Sequence, residues 1–214
     1  MRSELKKDLL NETPKDIYNK YLLGQSVWYF SDYLEESNHY KVYDDFKFYI
    51  SDRLDIHFNN IAIIGSGKTG ISFSPAKKFR AFSKNSDIDI VLVSQKHFEM
   101  FWNAYTEMFY KGIPMKEYSD VTKSIFKHFI TLKNPTEKHP DIIDWIKKVN
   151  PFVKDLQQFF GVTQEINYRI YDSWESVEKY HFYGIQNLQN YVNNNKGKEE
   201  QISLILNSLM NRNN

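Results

Sequence analysis

Apolar residues recur at Ile17, Tyr21, Leu22, Trp28, Tyr29 and Tyr33, and again at Val42, Phe46, Tyr49, Ile50 and Leu54. Spacing of three and four places such residues on one side of a helix, so residues 1–58 are expected to be mostly helical. The first helix is set to begin at Thr13-Pro-Lys-Asp16, with threonine as cap, proline at the first helical position and an acid near the positive dipole end, and to run about five turns. The second follows Asn38. The period then changes. Ile61–Ile64 and Ile88–Val93 are short, β-branched runs without helical spacing, as expected of buried strands.

After the cap residue Ser94, Phe98, Phe101, Trp102, Tyr105, Met108 and Phe109 return to helical spacing, which stops near Gly112 with Pro114 beyond. Residues 119–132 and 141–160 also carry helical patterns, the latter kinked or broken at Pro151. A strand is expected over Ile166–Tyr171, helices from Ser173, and a short terminal helix carrying Ile202, Leu204, Ile205 and Leu209 after a polar linker at 193–198. One or two further strands could lie within 113–135. The order predicts an α+β fold: a small mixed β-sheet flanked by helices, with N- and C-terminal helical segments. The 214 residues suit one compact unit, with N-terminal helices (1–58), a core (59–172) and C-terminal helices (173–214).

Bulk composition narrows the chemistry. A formal charge of +1 leaves no global field for nucleic acid, so any basic surface must be local. The absence of cysteine excludes disulfides, thiolate metal sites and cysteine nucleophiles, and with no signal-peptide core or membrane-length apolar run the expected location is the cytoplasm. The six histidines show no HExxH spacing and there is no GxSxG elbow, so neither a zinc hydrolase nor a serine hydrolase has support.

Within Ser86-Asp-Ile-Asp-Ile-Val-Leu-Val93, Asp87 and Asp89 share one face of an otherwise apolar strand. Two adjacent carboxylates repel unless a cation lies between them, which marks a metal site. Upstream, Ile61–Ile64 ends in Gly65-Ser66, and the loop beyond carries Lys68, Lys77, Lys78, Arg80 and Lys84 with no acid. Carboxylates for Mg2+ or Mn2+ beside a glycine turn and a basic loop suit a nucleoside triphosphate. A P-loop is the competing reading of Ala62-Ile-Ile-Gly-Ser-Gly-Lys-Thr69, but its first glycine is missing and the strand leaves too few residues to wrap a phosphate.

Gly65-Ser66 at the end of one strand, joined by a basic loop to Asp87-Ile-Asp89 on the next, resembles the DNA polymerase β-like nucleotidyltransferase superfamily, including its stand-alone bacterial members. The resemblance spans Ile61–Val93 and implies metal-dependent transfer of a nucleoside monophosphate from a nucleoside triphosphate (an ATP-type donor) to a hydroxyl, with release of pyrophosphate. It assigns metal and catalytic roles to Asp87 and Asp89, which together would hold two divalent ions, and donor binding to Gly65, Ser66, Lys68, Lys77 and Arg80. It also requires a third carboxylate on a later strand. Glu165 has the phase of Asn167 and Arg169 and is the expected catalytic acid; Asp172 either points with Tyr168 and Ile170 or caps the next helix. Without a third acid the domain would bind nucleotide without turning it over, as a regulatory or binding module. Twenty residues separate Ser66 from Asp87, a longer loop than the family carries. Its Phe73, Phe79 and Phe82 either pin it to the core or stack on a base. The acceptor is left open between protein, RNA and a small molecule, with protein or RNA favoured.

Overall fold

The computed structural model describes residues 2–74, 77, 79–115, 118–132 and 139–194. The expected helix at 202–209, most of the polar linker before it, and Lys78 lie outside them. Among the described residues the fold is α+β, a mixed four-stranded sheet flanked by helices.

Three short N-terminal pieces come first: α1 (Arg2–Asn11), α2 (Pro14–Ile17) and a wide-turn segment Tyr18–Leu23. Thr13 caps α2 as expected, its hydroxyl accepting the Asp16 N–H at 3.2 Å. The five-turn helix anticipated from Ile17 to Tyr33 is instead interrupted at Gly24 and resumes in a second wide turn at Tyr29–Tyr33, where the Leu34 N–H reaches back five residues to the Tyr29 carbonyl. Next come α3 (His39–Leu54), strand β1 (Ile61–Ile64), the short helix α4 (Gly65–Thr69) and strand β2 (Ile88–Val93). Then follow α5 (Gln95–Tyr110), capped by Ser94, α6 (Tyr118–Ile125) and β3 (Phe129–Ile130). The chain continues through α7 (Pro140–Phe159), β4 (Ile166–Tyr171) and α8 (Trp174–Asn194).

The spatial order is β1-β2-β4-β3. β2 pairs antiparallel with β1, setting Ile64 opposite Asp89, and parallel with β4, setting Asp89 beside Asn167 and Val91 beside Arg169. One face presents Ile61, Ile63, Ile88, Ile90, Leu92 and Ile170 to a core built from α3, α5 and α7, where Phe46, Phe101, Trp145 and Leu156 are buried. Each such side chain stabilises by about 1.5–3 kcal/mol relative to exposure. The other face presents Ile64, Val91, Val93 and Tyr171, covered at one end by Val177 of α8. Alternation along β2 therefore carries Asp87 and Asp89 to the α8 side.

A third cluster fixes the long basic loop. Ile71, Phe73 and Phe79 pack with Leu5, Leu9, Tyr18 and Leu22 from the N-terminus and with Ile185 and Leu188 of α8. Phe82 lies against Trp28, Tyr29 and Tyr33. All three phenylalanines are buried, so the loop is pinned, and the base-stacking alternative has no exposed ring to use. Gly70 makes the pinning possible: at φ +75 a Cβ there would lie 2.8 Å from the Trp28 indole.

Candidate functional site

The strand-to-helix turn after β1 and the first residues of β2 meet at one end of the sheet. Gly65 adopts φ +66, a conformation that glycine tolerates and β-branched residues do not, and a Cβ on it would stand 3.2 Å from Asp89 Oδ2. The turn and the acid are thus in direct apposition. Ser66 follows half-buried, in the first turn of α4. Gly65→Val should therefore displace the Asp89 carboxylate and abolish any metal or nucleotide binding there, which isothermal titration with Mn2+ would register; unchanged binding would separate the turn from the acids.

Asp87 and Asp89 are both half-buried and lie on the same face as Asn167 and Arg169 of β4. Asn167 Nδ2 donates to Asp87 Oδ2 at 3.0 Å. The Arg169 guanidinium approaches Asp89 Oδ1 at 3.7 Å while packing over the rings of Phe129 and Tyr180, each 5.4 Å away. Burial opposes that cation's charge, and Asp89, with the Tyr180 and Tyr171 hydroxyls nearby, more than offsets the penalty. Behind it His181 stacks on Tyr18, its Nε2 buried without a hydrogen-bond partner among the described residues. Burial, reinforced by Arg169, holds the imidazole down to about 3.

His181 is consequently neutral in the fold and charges in the unfolded chain below about 6.5. Its depressed folded value makes its contribution complete above pH 6.5 and progressively lost as pH falls toward 3. His97, also depressed by burial, acts in the same sense. Melting temperatures taken between pH 7 and 5 should fall, and His181→Leu should flatten that slope; an unaltered slope would refute the assignment.

The other anticipated residues are placed differently. Lys68 turns inward: its Nζ donates to the Gly24 carbonyl, its side chain is 5% exposed, and burial with Lys47 nearby lowers it to about 8. It ties α4 to the N-terminal segment and is not presented to a ligand at the acids. That also disposes of a P-loop, whose lysine must face phosphate. Lys77 and Arg80 are exposed on the pinned loop, where the Arg80 backbone pairs with Ser72 and Lys77.

Glu165 precedes β4, and its carbonyl accepts the Ile88 N–H at 2.9 Å. Its side chain is exposed along a cleft of about 700 Å³ between β4 and α7, lined also by Lys154, Gln157 and Asn167. Among the described residues no three His, Asp or Glu side chains gather into a set able to hold a metal. Among the described residues the expected triad of Asp87, Asp89 and Glu165 is not gathered into a metal-holding set, although Asp87 and Glu165 each lie one residue before the paired strands β2 and β4. Asn167 takes the position beside Asp89.

No family model, no curated protein and no solved structure matches this chain. The chemistry must be read from the site itself. Two carboxylates with a neighbouring amide supply hard oxygen donors, and Mg2+ commonly takes one or two carboxylates and completes its shell with water and substrate phosphates. Asp87 and Asp89 match that number of carboxylates. The sequence pattern pointed to Asp87 and Asp89 but passed over Asn167 and Arg169 as partners; their polarity inside a strand, in phase with the acids, was the available signal. No helix among the described residues is long and apolar enough to cross a membrane.

Proposed function

We propose that this chain is a metal-dependent nucleotidyltransferase, moving a nucleoside monophosphate from a nucleoside triphosphate to a hydroxyl. One observation carries the reading: Asp87, just before β2, and Asp89 within it stand beside a left-handed glycine turn, where a Cβ on Gly65 would lie 3.2 Å from Asp89 Oδ2. Asp87 and Asp89 would hold Mg2+ or Mn2+, which when bound neutralises triphosphate charge. Gly65 would allow the phosphates to approach the backbone, and Ser66 would donate a hydrogen bond to them. The acceptor oxygen bonds to the α-phosphorus as the bond to the β-phosphate breaks, pyrophosphate departs, and the hydroxyl proton passes to a carboxylate or to water. Protein and RNA remain the favoured acceptors, with binding surfaces in the helices around the sheet.

A second reading has its own support. Asn167 carries neither the charge nor the basicity of a carboxylate, which favours a module that retains nucleotide without consuming it. Incubating the protein with each nucleoside triphosphate, Mg2+ or Mn2+ and a cell lysate, and measuring pyrophosphate, separates the two. Metal-dependent release that disappears in Asp87→Ala establishes the transferase. Metal-dependent retention without release establishes the binding module, and neither property would sink both.

A further inference from the structure

The two β4 side chains that meet the acids, Asn167 and Arg169, are neutral and positive. Asn167 engages Asp87 through an N–H, and Arg169 stands against Asp89. We infer that the site holds a single divalent cation, with the Arg169 guanidinium acting as a permanent, built-in cation on the Asp89 side. The inference rests on the reading of Asp87 and Asp89 as holders of a triphosphate's cation, and concerns how many ions they take.

Arg169 is well anchored. Phe129 packs over it from β3 and Tyr180 from α8, and its side chain is 26% exposed against 20% for Asp89. Swinging away would forfeit both cation–π contacts, worth more when partly desolvated, and would leave its partner acid uncompensated. Staying, it offsets one of the two carboxylate charges that a pair of dications would need. A second ion near Asp89 would also lie within a few ångströms of the guanidinium, where like charges in a partly buried setting repel strongly. Among the described residues no third acid gathers to counter that repulsion. Arg169 is in these terms a positioning residue: it fixes Asp89 and restricts occupancy without touching the donor.

Native mass spectrometry of the full chain with Mn2+ and each of the four α,β-methylene nucleoside triphosphates counts the ions carried per bound nucleotide. One Mn2+ is expected, absent in Asp87→Asn. Arg169→Met should lower the Mn2+ concentration for half-occupancy roughly tenfold or more, and Arg169→Lys, which keeps the charge, should leave it near the wild-type value. Two Mn2+ per nucleotide in the wild type would overturn the inference while leaving the donor site intact, a result that does not depend on any variant folding. An unchanged Mn2+ requirement in a folded Arg169→Met protein would overturn it as well. Binding of no Mn2+–nucleotide complex would remove the donor site itself, and the inference with it.

Discussion

Asp87→Asn should reduce metal-dependent pyrophosphate release at least a hundredfold while leaving the melting temperature within a degree or two of wild type, on the order of a lost catalytic electrostatic contact without a lost core contact. The substitution keeps an oxygen that can accept the Asn167 N–H and removes only charge. Asp89→Asn should be equally inactive but also less stable, by about 1–3 kcal/mol, because Arg169 then keeps a partly buried charge without its carboxylate partner. Parallel measurement of pyrophosphate release and thermal unfolding separates these effects. Equal destabilisation by both substitutions would contradict the assigned contacts, and full activity in either would contradict the assigned chemistry.

Asn167→Asp is the complementary gain. It would set a third carboxylate beside Asp89 in the β2–β4 register, supplying the charge and proton acceptor that the site lacks. In metal-free buffer the added repulsion should lower the melting temperature, and Mn2+ should restore it and raise it above the wild-type value, since binding to the folded state alone stabilises that state. Pyrophosphate release should rise about tenfold or more, the scale of a positioned acid–base group. A variant that Mn2+ does not stabilise would show that residue 167 lies outside the metal's reach.

The elements legible in the sequence were those whose determinants are local. Ser94 and Thr13 cap the helices they were expected to cap, β1 and β2 follow from short β-branched runs, and β4 lies where a strand was expected. Alternation along β2 was enough to put Asp87 and Asp89 on one face. Helical spacing cannot distinguish an ordinary turn from the wider turns at Tyr18–Leu23 and Tyr29–Tyr33, so the break at Gly24 was missed. Pro151, expected to kink or break α7, is accommodated within a continuous helix because it and Lys147, whose carbonyl loses its N–H partner, are both exposed to water.

Nonlocal pairing hid the rest. β3 falls within 113–135, where one or two further strands were expected, but its place was not: it is two residues long and exists because Phe129 and Ile130 pair with Tyr171 and Ile170, about forty residues on. It cuts short the helix expected over 119–132, at a His128 in left-handed conformation where no glycine announces a turn. The site divides in the same way. Its acids lie within and just before one strand and were readable, whereas Asn167 and Arg169 acquire meaning only once β4 is aligned against β2. Lys68 looked like a phosphate ligand because charge is visible in a sequence and direction is not; α4 points it at Gly24.

The account depends on Asp87 and Asp89 gathering a cation that orients a triphosphate. Anomalous diffraction from crystals grown with Mn2+ and a nonhydrolysable nucleoside triphosphate tests this directly. The expected result is a manganese peak bridging the two carboxylates, with the phosphates running toward Gly65 and Ser66. Phosphates bound elsewhere, with no manganese between those side chains, would contradict it.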